Sequence, residues 1–165
     1  MATIEDDLNA AGLELYELPD WESRQPIRQL WIAPAFWTWF DGTNELHTAK
    51  IGGRTLAEHI EQLFCDLRCA ERPGAGDLKR MVPTKIGIWK LHPAKTRLYG
   101  WAPKKECIAV VTGALEVETK DKTRENELNN EKRDQVLHFI KSNGLKKHVA
   151  LGDILAIFPP PQSKS

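Results

Sequence analysis

LKRMVPTKIGIWKLHPAKTRLYGWAPKK, residues 78–105, is the stretch that decides the fold. It contains eight lysines and arginines and no aspartate or glutamate, although the 165-residue chain has a net charge of zero. Apolar and cationic residues alternate along it, and Pro93 and Pro103 interrupt the pattern. This predicts strands over 85–92 and 96–102, each followed by a tight turn. A cationic, aromatic pair of strands in a neutral chain is typical of a surface that binds a polyanion.

The largely apolar residues 106–115 predict a third strand in the interior of the sheet, so that the three strands form an antiparallel meander. Charge is divided along the chain. Residues 1–77 hold 6 basic and 14 acidic residues and 78–105 have a net charge of +8, whereas 106–165 hold 9 of each. Two interpretations stay open at this point. The acidic first part folds against the basic stretch, or the basic stretch binds a ligand.

The remaining elements are predicted from periodicity and capping residues. Apolar residues at helical spacing, with a Thr55–Glu58 capping box, predict a helix over 54–70. A second capping pair, Thr3 with Asp6, and apolar residues on one face predict a short amphipathic helix over 3–16. The other predicted elements are a strand at 27–34, a charged loop or helix start at 116–130, a final helix ending at Asn143–Gly144 and a closing hairpin within 146–159. We therefore expect an N-terminal extension (1–26), an α+β domain (27–158) and a flexible tail (159–165).

Composition narrows the class of protein. At 41% hydrophobic and 28% charged residues the chain is typical of a folded globular domain. No apolar run approaches the length of a membrane span, and the acidic start MATIEDD does not resemble a signal peptide. With three cysteines, an odd number, we expect no disulfide framework and a cytoplasmic location.

Two groups of residues have both a structural and a functional interpretation. Cys65 and Cys69 lie four residues apart near His59, and this spacing permits metal binding, but no second ligand pair follows. Buried thiols are the favoured interpretation. Four aromatic residues crowd into 36–40, and core anchors are favoured over rings on which nucleic-acid bases stack.

The order of these elements resembles that of the RelE/HigB family of toxin endoribonucleases, which includes phage-derived relatives. Three short motifs carry the resemblance, LKR at 78–80, KLH at 90–92 and TRLY at 96–99, and it covers residues 27–142. It implies a RelE-like fold of order β-α-α-β-β-β-α, in which an antiparallel meander packs against helices.

The resemblance also implies a function. Such toxins cut mRNA by attack of a 2′-hydroxyl on the neighbouring phosphate, a reaction that needs a base, an acid and cations but no metal or other cofactor. The implied partners are mRNA, the ribosome and a cognate antitoxin protein. Lys79 and Arg80 would lie in a loop over the sheet, and His92 would act as base or acid. The catalytic candidates are Arg80, Lys90, His92 and Arg97, and the RNA-binding candidates are Lys79, Lys85, Trp89, Tyr99, Lys120, Lys122 and Arg124.

Some features differ from the family pattern. Family toxins are usually smaller and strongly basic, and Glu116 and Glu118 stand here where cationic residues are common. A non-catalytic module that binds nucleic acid or protein therefore stays open as the alternative. The acidic residues 1–26 suggest a further hypothesis, namely that this segment covers the basic sheet.

Overall fold

The computed structural model describes residues 2–69, 78–116 and 122–152, with residues 122–125 described by their backbone alone. The α+β class is confirmed. The helices are α1 (Ile4–Ala10), α2 (Pro34–Gly42), α3 (Glu45–Thr48), α4 (Leu56–Cys69) and α5 (Lys122–Ser142). The strands are β1 (Glu14–Leu15), β2 (Gln29–Ile32), β3 (Lys50–Ile51), β4 (Arg54–Thr55), β5 (Leu78–Arg80), β6 (Ile88–Leu91), β7 (Thr96–Lys104) and β8 (Cys107–Leu115).

Six of the strands form one mixed sheet in the order β1-β2-β8-β7-β6-β5, and β3 pairs with β4 in a separate hairpin. The meander predicted from the basic stretch is present as β6, β7 and β8, which pair antiparallel. The sheet is mixed because β2 lies parallel to β8. This places β8, all of whose nine residues are buried, in the interior of the sheet, where both of its faces are covered.

Helices cover both faces of the sheet. On one face α2, α3 and α4 pack on a core that includes Leu30, Leu98 and Val110. On the other face α1 and α5 pack on Tyr99 and Trp101. The two faces are called the α4 face and the α5 face below. No helix of the described residues combines the length and the apolar character that crossing a membrane requires.

The capping predictions are confirmed, but several boundaries differ. Thr55 and Glu58 form the predicted capping box at the start of α4, and Thr3 and Asp6 form that of α1. The predicted helix over 3–16 is wrong in length, since α1 ends at Ala10. Gly12, with a φ of 87°, then reverses the chain and leads it into β1.

Three further predictions are corrected. Residues 78–80 form the edge strand β5, not a loop over the sheet. The predicted strand over 85–92 is shorter, because Thr84–Ile86 form a 3₁₀ turn that ends at Gly87 with a positive φ. Residues 146–152 form no strand, and the rest of the predicted closing hairpin lies outside the described residues. The structure also contains α3, β3, β4 and β5, none of which the predicted element order includes.

The first residues of the chain are part of the domain. Leu8 and Leu13 are fully buried on the α5 face, and β1 extends the sheet. Glu5 pairs with Lys104 at the end of β7 that is remote from His92, and Asp7 pairs with Lys147. These acidic side chains therefore bind cations at the opposite end of β7 from the family-like motifs.

Candidate nucleic-acid interface

A row of polar side chains crosses the α5 face at one level of the sheet. The strand registers pair Lys79 with Lys90, Lys90 with Tyr99, and Tyr99 with Thr112. Directly paired residues of antiparallel strands project to the same face, so these four side chains share it. Ile88, two residues before Lys90, is buried in the core of the α5 face, which identifies the face.

His92 and Arg97 lie one step further along the same face. Arg97 precedes Tyr99 by two residues on β7, and His92 follows Lys90 by two residues just beyond β6. Their proximity is visible in the electrostatics, because the charges of Arg97, Lys90 and Lys79 all lower the pKa of His92. The structure thus brings together four residues named from the sequence, which we call the cation cluster: Lys79, Lys90, His92 and Arg97.

The imidazole of His92 is held neutral. Burial is the main reason that its pKa falls from the ordinary 6.5 to about 4, and the three cations add to the effect. Its Nε2 atom is buried and has no hydrogen-bond partner among the described residues. A neutral imidazole with a free ring nitrogen is able to accept a proton from a bound group.

Arg97 and Tyr99 are held by their neighbours. The Nη1 atom of Arg97 donates to the Thr96 carbonyl at 3.0 Å and lies 3.9 Å from a carboxylate oxygen of Glu116. The Tyr99 ring is fully buried, and its hydroxyl donates to the Asn129 amide oxygen on α5 at 2.6 Å. This bond fixes the position of α5 beside the row of polar side chains.

The structure separates other predicted residues from the cluster. Arg80 pairs with Trp89, whose ring is 2% exposed in the core of the α4 face, so both side chains project away from His92. Arg80 is therefore not positioned to act with His92, and Trp89 does not offer its ring to a base. Lys85 is exposed on the 3₁₀ turn.

The three cations predicted near the final helix have no described side-chain position. Lys120 lies outside the described residues, as do the side chains of Lys122 and Arg124, whose backbone starts α5. Asn129 was missed from the sequence. The polar, weakly patterned sequence around it does not indicate which face of the helix meets the sheet.

The described residues contain no group of three or more His, Cys, Asp or Glu side chains that is arranged to hold a metal ion. Cys65 and Cys69 are buried free thiols, and burial raises the pKa of Cys65 to about 11. A protonated thiol is a poor metal ligand. His59 hydrogen bonds through Nε2 to the carbonyl of Ile51 at 2.9 Å, which ties the β3–β4 hairpin to α4. The structure therefore supports the interpretation of these residues as structural.

Comparisons of the chain with protein-family models, with curated proteins and with solved structures find no match.

Proposed function

We propose that this protein is a metal-independent endoribonuclease of the RelE/HigB toxin type, with the cation cluster as its active site. The observation that carries the proposal is the neutral His92, whose free Nε2 atom lies within the field of Lys79, Lys90 and Arg97 on one face of the sheet. A buried base surrounded by cations suits an anionic substrate that carries an acidic proton.

In the proposed reaction, the neutral imidazole of His92 accepts the proton of a ribose 2′-hydroxyl while that oxygen attacks the neighbouring phosphorus. The bond from phosphorus to the 5′-oxygen breaks, and the Lys90 ammonium protonates the leaving oxygen. The products are a 2′,3′-cyclic phosphate and a 5′-hydroxyl. Arg97 and Lys79 stabilise the charge that accumulates on the phosphate oxygens. Binding of the phosphate neutralises part of the surrounding charge and so raises the pKa of His92 towards the range in which a base is efficient.

The arrangement of elements adds support at the level of the fold. The support is the antiparallel meander packed against helices, which is the arrangement that the resemblance of residues 27–142 implies. On this proposal the substrate is mRNA, cut on the ribosome, and a cognate antitoxin protein neutralises the enzyme in the cytoplasm.

A second candidate function is favoured by Glu116. Its carboxylate lies 3.9 Å from the guanidinium of Arg97, where it competes with a phosphate for the same cation. In a protein that only binds nucleic acid or an acidic partner, such a pair would regulate affinity without any cleavage. The experiment below separates the two candidates.

The test measures cleavage of end-labelled single-stranded RNA, with and without ribosomes, in buffer that contains EDTA. The wild type should release fragments that end in a 2′,3′-cyclic phosphate. His92→Gln should slow cleavage by about 100-fold or more, the usual effect of losing a general base. Binding without cleavage by the wild type under both conditions would refute the enzyme and favour the binding module.

Adjacent residues of β5 provide a matched control. Lys79→Ala and Arg80→Ala each remove one exposed cation from the same short strand, but the two side chains lie on opposite faces. Lys79→Ala should weaken RNA binding and lessen the salt dependence of the affinity by the equivalent of about one phosphate contact. Arg80→Ala should leave the affinity and its salt dependence unchanged. Equal effects of the two substitutions would contradict the assignment of the site to the α5 face.

A further inference from the structure

Arg97 lies between a carboxylate and the base of the cation cluster. His92, one residue beyond β6, is opposite Arg97 in the register of β6 and β7. On the other side β8 pairs Ala114 with Arg97, and Glu116 follows Ala114 by two residues. Ala114 belongs to the core of the α5 face, so Glu116 projects to the same face as Arg97. The guanidinium can therefore pair with Glu116 or with an anion bound beside His92.

The ion pair between Arg97 and Glu116 is loose. The Nη1 atom of Arg97 lies 3.9 Å from the carboxylate oxygen, which is longer than a hydrogen bond, whereas its bond to the Thr96 carbonyl is 3.0 Å long. By comparison, Arg28 donates to Glu106 at 2.9 Å. Glu116 thus neutralises part of the charge of Arg97 without fixing its orientation. An incoming anion can take its place without breaking a direct hydrogen bond between the two side chains.

The backbone keeps the carboxylate close to Arg97. The amide of Glu116 donates to the Lys95 carbonyl at 2.9 Å, which extends the pairing of β7 and β8 beyond the last strand residue. The Glu116 side chain itself is 40% exposed, against 16% for Arg97. A carboxylate that is displaced from such a position is readily hydrated, so the pair is weak.

We propose that Glu116 is a built-in competitor of the phosphate, an autoinhibitory contact of the cation cluster. In the free protein its carboxylate neutralises the guanidinium that a phosphate group of the substrate uses in the complex. Every phosphate ligand must displace it, and the affinity of the site is lower by the strength of the pair. The inference rests on the cation cluster as a phosphate site, which is part of the proposed function, but it does not require cleavage.

The test measures binding of inorganic phosphate to the full chain at constant ionic strength, followed by the NMR signals of the His92 ring protons. Glu116→Gln keeps the size of the side chain and removes its charge. It should tighten phosphate binding by about fivefold, the equivalent of about 1 kcal/mol. A short thymidine oligodeoxynucleotide, which has no 2′-hydroxyl and cannot be cleaved, should gain affinity by about the same factor.

A double-mutant cycle assigns the effect to Arg97. In an Arg97→Gln background, Glu116→Gln should change phosphate affinity by less than about twofold, because the competition has lost its target. The control is Glu14→Gln, which removes an exposed carboxylate from β1, two strands away from β8. It should also change the affinity by less than about twofold. Tightening by Glu116→Gln that persists without Arg97, or that Glu14→Gln equals, would show an effect of net charge alone and overturn the inference.

The sign of the effect separates competition from positioning. Weaker phosphate binding by Glu116→Gln would mean that the carboxylate orients Arg97 for the ligand, which contradicts the inference. Equal binding by the wild type and Glu116→Gln would overturn it and leave the cation cluster standing as a phosphate site. Tighter binding by Glu116→Gln in a protein that cleaves no RNA would support it and refute only the endoribonuclease. No response of His92 to either ligand in either protein would overturn the inference together with the site.

Discussion

Protonation of His92 should destabilise the protein as the pH falls. The pKa of this residue is about 4 in the folded state, against an ordinary value of 6.5 that the unfolded chain should regain. Between these two pH values the unfolded state binds a proton that the folded state does not. The free energy of unfolding should therefore decrease as the pH drops from about 6.5 to about 4 and level off below it.

The structure sets the size of this effect. The difference between the two pKa values corresponds to roughly 3.4 kcal/mol at about 1.36 kcal/mol per pH unit. His92 is only partly buried, so solvent screens its interactions with the three cations. We therefore expect a smaller loss of about 1–2 kcal/mol.

The assay is urea denaturation of the wild type and of His92→Gln at several pH values between 7 and 4. All other titrating groups are common to both proteins, so the difference between their pH profiles isolates His92. An NMR titration of the His92 ring protons gives its pKa directly. A pKa near 6.5, or identical pH profiles for the two proteins, would refute the reasoning.

The source of the low pKa is tested by substitution of one cation at a time. Lys79→Met removes a charge that faces His92 and should raise its pKa, because Lys79 contributes to the lowering. Arg80→Met removes a charge from the other face of the same strand and should leave the pKa unchanged. A larger response to Arg80→Met would contradict the register of β5.

Two further predictions concern packing around β7. Gly100→Ala should destabilise the protein by about 3 kcal/mol or more in chemical denaturation, because the new methyl group would lie 1.8 Å from the Ala109 carbonyl oxygen. Gly42→Ala, which meets nothing within 4 Å, should leave stability unchanged or slightly raised. Tyr99→Phe should cost about 1 kcal/mol in the same assay, because it removes the hydroxyl that donates to Asn129. An unchanged stability of Tyr99→Phe would mean that water replaces this hydrogen bond at no cost.

The meander was predictable because its signals are local. Alternation of apolar and cationic residues before and after Pro93 located β6 and β7, and the apolar run 106–115 located β8, each to within a few residues. The predicted turn at Pro103 is wrong, because Pro103 lies inside β7 and the chain turns at residues 105–106. The capping boxes at Thr3 and Thr55 were equally local, since each uses a side chain three residues further along. The length of α1 was not predictable in this way. Its capping box marks only the first turn of the helix, and Gly12 ends the helix early.

The edge strand β5 shows where local signals fail. Three residues, Leu78 to Arg80, carry too little pattern to distinguish a strand from a loop. They form a strand because β6 offers them a hydrogen-bonding edge, and β6 follows only after an intervening turn. The same pairing decides that Lys79 joins the cation cluster while its neighbour Arg80 does not.

The sequence by itself determined that the chain is α+β, that a meander lies at its centre and that this meander carries a concentration of positive charge. These properties depend on residue types and on spacings of two to four residues. Only the tertiary structure decided which cations share a face, that Trp89 lies in the core, and that His92 is neutral. Each of these depends on strand register and burial, which bring together residues far apart in the chain, such as Tyr99 and Asn129.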